Sequence, residues 1–223
     1  MLSNIGSILV ATIGILISGC AAETFRDLRV EKVRSASINF SGARTPISIG
    51  KFSDRSKHNG GIFTNGVDRL GAQAKTILLT HLQQSNRFTV LERDNVIEQA
   101  REAEISKRTI NTVGADFIII GDITEFGRKE VGDIQFFGIF GRGHQQIAYA
   151  KVSLNVVRID TSEVVYSAQG AGEFKLSSRE VVGFGGTTGY DSTLSGKVVD
   201  LAVREAVDNL VAGADSGSWG HQK

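Results

Sequence analysis

Apolar and polar positions along the chain alternate between two periods, and the switches between them mark out the elements. Ile47 and Ile49 alternate with small residues before Phe52, which predicts a first strand running into the turn cluster SDRSKHNGGI, 53–62. Between Asn65 and Gln84, residues Val67, Leu70, Ala74, Ile77, Leu78, His81 and Leu82 recur at spacings of three and four, the stripe of an amphipathic helix. RFTVLER, 87–93, predicts a short strand. Asp94 stands where it can cap a next helix, with Val96, Ile97, Ala100 and Ile105 on its inner face. The apolar run Phe117 to Ile120, between Gly114 and Gly121, is that of a central strand covered on both faces. IAYAKVSLNVVRI and EVVYSAQGAGEF predict a hairpin about Asp160-Thr161-Ser162, with Ala148, Ala150, Val152, Leu154 and Val156 on one buried side. From Leu194 to Val211 a helix is apolar nearly all round, and its polar stripe of Asp200, Arg204 and Asp208 reads as a solvated face. The order β-α-β-α-β-β-β-α implies a layered α/β (α+β) domain, a mixed β-sheet flanked by helices. No glycine-rich loop joins the first strand to the first helix, so a doubly wound nucleotide fold is excluded.

The N-terminus carries a different signal. Ile8 to Ile17 is an apolar run too short to cross a bilayer of about 30 Å as a helix, but long enough for a signal-peptide core. Ser18, Gly19 and Cys20 follow. Cys20 is the single cysteine, so an internal disulfide and a cysteine metal cluster are both excluded. Ile17-Ser18-Gly19-Cys20 resembles the lipobox of bacterial lipoproteins, in which small residues admit the peptidase and the thiol takes a diacylglyceryl group. Two or three acyl chains anchor a protein stably where one binds only marginally. The competing readings are a secretory peptide with an incidental cysteine and a short buried helix. Residues 1–7 carry no Lys or Arg, a departure from the usual basic start. Ala21 rather than Asp follows the cysteine, which in bacteria that use the aspartate retention rule implies sorting to the outer membrane. The expected organisation is a signal peptide over 1–19, a lipidated tether over 20–45, a domain over 46–213 and a flexible tail over 214–223, with Trp219 able to dock.

Composition removes several alternatives. A net charge of +1 provides no field that favours nucleic acid. GFGGTTG, 183–189, lacks the Gly-Lys-Ser/Thr ending of a phosphate loop, and Gly196-Lys197 is followed by Val198. His58, His81, His144 and His221 have no metal-ligand spacing, and no Gly-x-Ser-x-Gly elbow is present. Arg142, between glycines, reads as a solvated loop arginine. The sequence therefore predicts no catalytic constellation, no cofactor and no metal.

FSDRS, QSNRFTVLERDNVIE, GADFIIIGDITEF, AYAKVSLNVVRIDTSEVVYSAQG and the helix from GYDS onward together resemble the lipoproteins of the curli-secretion channel (CsgG-type) family, over about 45–215. Thr161-Ser162-Glu163 departs from the Thr-Gly-Glu that the family prefers in the hairpin turn. The resemblance implies an outer-membrane lipoprotein facing the periplasmic space, often a homo-oligomeric ring. Its channel members add two β-hairpins per protomer to a barrel that exports fibre subunits. The corresponding segments here are 127–148 and 171–190, so an extended β-hairpin insertion is expected. In the first, Ile134, Phe136, Phe137, Ile139 and Phe140 cluster on both parities between charged flanks, which fits a loop or lid as well as a spanning strand. In the second, Glu180 shares the parity of Phe174, Leu176, Val182 and Phe184. Ile134 to Phe140 is expected to bury against lipid or a neighbouring protomer, the alternative being its own domain. The expected role is assembly or export of fibre or adhesin subunits, with the outer membrane and secreted or envelope proteins as partners and no nucleic acid. The alternatives are a non-pore lipoprotein regulating a cell-envelope enzyme and, more remotely, an envelope hydrolase.

Overall fold

The computed structural model describes residues 31–56, 68–134, 142–179 and 193–220. The chain divides into residues 1–31 and 32–223, and the fold described below is that of the second unit. Strands β1 (Thr45–Asp54), β2 (Phe88–Leu91), β3 (Phe117–Ile134), β4 (Arg142–Arg158) and β5 (Val164–Arg179) form one sheet in the order β2-β1-β3-β4-β5. β1 pairs parallel with β2 and β3, and the rest is antiparallel. The helices are α1 (Arg69–Gln84), α2 (Val96–Ile105) and α3 (Thr193–Asp215). This is the mixed, layered α+β architecture that the hydrophobic pattern predicts, and the sheet is open rather than closed.

One face of the sheet holds the core. Ile47, Ile49, Phe52, Phe117, Ile119, Ile123, Val152, Leu154 and Val156 point from it and are buried against α1 and α3. Alternation along β3 and β4 puts these side chains on one side, because successive residues of a strand face opposite ways. α3 packs so closely on β5 that a Cβ on Gly170 would lie 2.2 Å from the Ala202 carbonyl oxygen. On Gly172 it would lie 2.7 Å from that of Val198. Glycine is required at both positions by this approach, with small Ala202 and Ala206 opposite Gly170.

α1 begins at Asp68, whose side chain accepts from the Gly71 amide at 2.7 Å and from the Asp54 amide at 2.7 Å. One carboxylate thus caps the helix and fixes the end of β1, satisfying donors that a helix start leaves open.

Several expectations need correction. Asp94 does not cap α2: the N-cap is Asn95, without a side-chain bond, and Asp94 pairs with Lys75 at 2.6 Å. The face of α2 expected to point inward is exposed, with Ile97 78% and Ile105 70% accessible and no residue of the helix buried. β3 is covered on one face: Phe117 and Ile119 are buried, whereas Ile118 and Ile120 are only half-buried. The stretch 32–45, read as tether, already packs on the domain: Val33 is in the core and Arg34–Ser37 form a 3-10 turn. At the other end α3 continues to Asp215, and the expected loose tail is docked as far as Gly220. There Trp219 is 5% exposed, donates from Nε1 to the Leu210 carbonyl at 3.1 Å, and stacks on Phe88 at 5.4 Å.

Candidate functional site

Of the region singled out for membrane or oligomer contact, the structure describes Ile134, at the far end of β3. β3 and β4 remain paired well past the core, from Phe126↔Ala150 through Glu130↔Gln146 to Ile134↔Arg142. β4 and β5 stay paired as far as Gly143↔Arg179. The segment 127–134 with 142–148 is therefore strand on both sides rather than loop, part of a three-stranded ribbon. At about 3.3 Å per residue, Gly127 to Ile134 extends it by roughly 26 Å. Ile134 is the last residue of β3, whereas Phe136, Phe137, Ile139 and Phe140 lie outside the described residues. So do Cys20 with its lipobox, the GFGGTTG segment, and His58 and His221. Arg142 opens β4, opposite Ile134.

The base of the ribbon still belongs to the core. Phe126 and Ala148 are buried, and the Lys197 ammonium sits 5.0 Å over the Phe174 ring. The opposite side carries Tyr149, whose ring fills the space a Cβ on Gly127 would occupy. Beyond this base, neither parity of the sequence 127–134 is uniformly apolar: one reads Arg128, Glu130, Gly132, Ile134 and the other Gly127, Lys129, Val131, Asp133.

The polar stripe of α3, read as solvated, makes contacts instead. His81, buried in α1, is 2.9 Å from Asp200 through Nε2. A carboxylate accepts only, so the bond fixes the proton on Nε2, and Nδ1 is left buried without a partner among the described residues. Asp208 accepts from the Arg34 amide at 2.9 Å and from Arg34 Nε at 3.1 Å, and Glu205 takes Arg34 Nη2 at 2.7 Å. The bond that Arg34 donates to Glu205, with the charge of that carboxylate and of Asp208, raises the Arg34 pKa above its ordinary value. The stripe thus clamps the chain arriving from the N-terminus. His81 on the apolar stripe of one helix and Asp200 on the polar stripe of another are each visible in the sequence, but nothing there pairs them.

Two cavities flank Gly220 where the parallel strands begin. One, of about 530 Å³, is bordered by Phe40, Arg87, Asp215 and Trp219. The other, of about 420 Å³, is bordered by Asp116, Phe117 and Arg158. The Arg87 guanidinium is already engaged: Nε and Nη2 donate to Asp215 at 2.8 and 3.2 Å, and Phe40 covers it at 4.4 Å. It is a structural cation, not a receptor for an anion. Among the described residues no cluster of metal-ligating side chains forms, and no helix is long and apolar enough to cross a membrane.

The described residues thus form a mixed α+β domain with a strand ribbon running beyond its core. The chain belongs to the family described as "Curli production assembly/transport component CsgG", which matches residues 30–214. It is 58% identical over 213 residues to the "Putative lipoprotein NMB1126/NMB1164" of Neisseria meningitidis serogroup B, covering 96% of each chain. Among solved structures it is similar to the "putative neuraminyllactose-binding hemagglutinin homolog from Helicobacter pylori", with a TM-score of 0.44 at 10% identity over 86% of this chain and 91% of that one. The PelC dodecamer from Paraburkholderia phytofirmans gives 0.35 at 10% identity, over 74% and 88%.

Proposed function

We propose that this chain is a lipoprotein anchored in the outer membrane through Cys20, facing the periplasmic space, that self-associates and takes part in the assembly or export of extracellular fibre or adhesin subunits. It works by protein contacts rather than by catalysis. The observation that carries the reading is the family match over residues 30–214, which covers the ribbon of β3, β4 and β5. Strand pairing persists to Ile134↔Arg142, in the segment where the channel members place a barrel hairpin. The relative at 58% identity bears the name of a lipoprotein, in keeping with the role assigned to Cys20.

A second reading is favoured by one feature. Neither parity of 127–134 is apolar, whereas a lipid-facing strand needs alternating apolar positions. On that ground the alternative is a non-pore lipoprotein that scaffolds or regulates an envelope enzyme. Conductance of the purified lipoprotein in planar bilayers separates the two: discrete channels belong only to the export reading. For the anchor, Cys20→Ser is expected to leave an uncleaved or soluble form, because a hydroxyl does not replace the thiol in lipid transfer. Recovery of this variant in the outer membrane at the wild-type level would refute lipidation at Cys20.

A further inference from the structure

Two surfaces of this domain are left open by the described residues, and they match each other. The first is α2. Val96, Ile97 and Ala100 share a helical stripe, all exposed, and Glu104 continues it at seven residues from Ile97 and four from Ala100. Glu98, Glu102 and Glu104 against Arg101 make this helix acidic, and none of the three glutamates makes an ion pair among the described residues. The second is the sheet face that α1 and α3 leave uncovered. There Ile118 and Ile120 of β3 are half-buried, with Val157 paired to Ile118. A register shift in β1 sets two residues, Gly50 and Lys51, opposite the single Ile120. Gly50 leaves room that the Ile118 and Ile120 side chains fill, within 3 Å of where its Cβ would stand. Lys51 is exposed at the edge of this patch and makes no ion pair among the described residues.

We infer that α2 of one copy docks on the open sheet face of a second copy, with Val96, Ile97 and Ala100 over Ile118, Ile120 and Val157, and Glu104 against Lys51. The occupant is a second copy because both halves of the match, apolar stripe with apolar patch and unpaired acid with unpaired base, are on the same chain. The stripe does not serve its own sheet: Ile97 stands 78% exposed. The two surfaces differ, so the contact is head-to-tail, and repetition yields either a closed ring or an open filament. The inference rests on the self-association proposed above and gives it an interface.

The test uses two differently tagged full-length copies, co-expressed and lipidated so that Cys20 is blocked, one carrying Ile97→Cys and the other Ile120→Cys. Copper-phenanthroline oxidation is expected to give a disulfide-linked pair bearing both tags. Either variant alone should stay uncrosslinked, and a chain with both changes should give a ladder of multimers. Three results overturn the interface: an internal disulfide in the doubly changed chain, which puts α2 on its own sheet; self-crosslinking of Ile97→Cys alone, which makes the contact symmetric; or no crosslinking at all. Mass photometry of the wild-type protein in detergent then separates the two failures. Oligomers without the crosslink leave the proposed function standing and discard this interface, whereas monomers discard both.

Discussion

α2 and α3 each carry an apolar face and a polar stripe in the sequence, yet among the described residues α3 is the most buried helix and no residue of α2 is fully buried. What separates them is the surface each meets. α3 lies over two glycines of β5 that admit its backbone, and Val198, Val199, Ala202, Val203, Ala206, Val207 and Leu210 all lose their contact with water. Its polar residues are drawn into the fold as well, Asp200 by His81 and Asp208 by Arg34. α2 is held at one end, where Asp94, two residues before it, pairs with Lys75, while the apolar stripe itself meets no opposing surface among the described residues. A period of 3.6 states that a helix has an apolar side. It does not state which surface covers that side, or whether the surface belongs to the same chain.

The contrast can be broken by substitution, beginning where the effect is largest. Val203→Asp puts an unpaired charge between α3 and the sheet and is expected to cost several kcal/mol, enough to abolish folding. Soluble Val203→Asp protein with an unchanged melting temperature would mean that α3 is not core. Trp219→Ala removes the ring stacked on Phe88 and edge-on to Phe117 at 5.6 Å, and should destabilise by about 3 kcal/mol in urea titrations. Gly170→Ala forces a methyl against the α3 backbone and should cost about 2 kcal/mol, with tryptophan fluorescence reporting the transition. Ile97→Asp, the same kind of change as the first but on α2, should leave the stability of a dilute monomer within about 0.5 kcal/mol while weakening association. A loss comparable to that of Val203→Asp would show that α2 is covered within its own chain.

Much of the fold was legible because it depends on local period. The order of elements, the β4–β5 hairpin and the buried parity of β4 all follow from alternation and turn chemistry. Even the turn departure is legible in retrospect: Ser162 sits at φ 58°, the left-handed region where the Gly of the family pattern is unstrained. The misread parts depend on pairing between distant segments. Asp200 with His81, Asp208 with Arg34 and Lys75 with Asp94 join residues that sequence spacing does not connect, so the pattern alone leaves Asp200 and Asp208 in solvent and Asp94 at a cap. The resemblance implies the extended hairpin, and β3 and β4 do remain paired to Ile134 and Arg142, but hydrophobic period alone does not show this ribbon. Its strands alternate poorly in hydrophobicity, and what holds them in register is backbone pairing along β4, which leaves no side-chain signature. Of the candidate contact site, Ile134 falls at the end of that pairing, while the phenylalanines beyond it lie outside the described residues.

The account turns on whether this lipoprotein associates with itself. Mass photometry of the full-length protein, extracted from cell membranes in mild detergent and measured over a tenfold range of concentration, reads this directly. A discrete species of several copies, persisting on dilution and ring-shaped by negative stain, is the predicted result. A monomer at every concentration would contradict it.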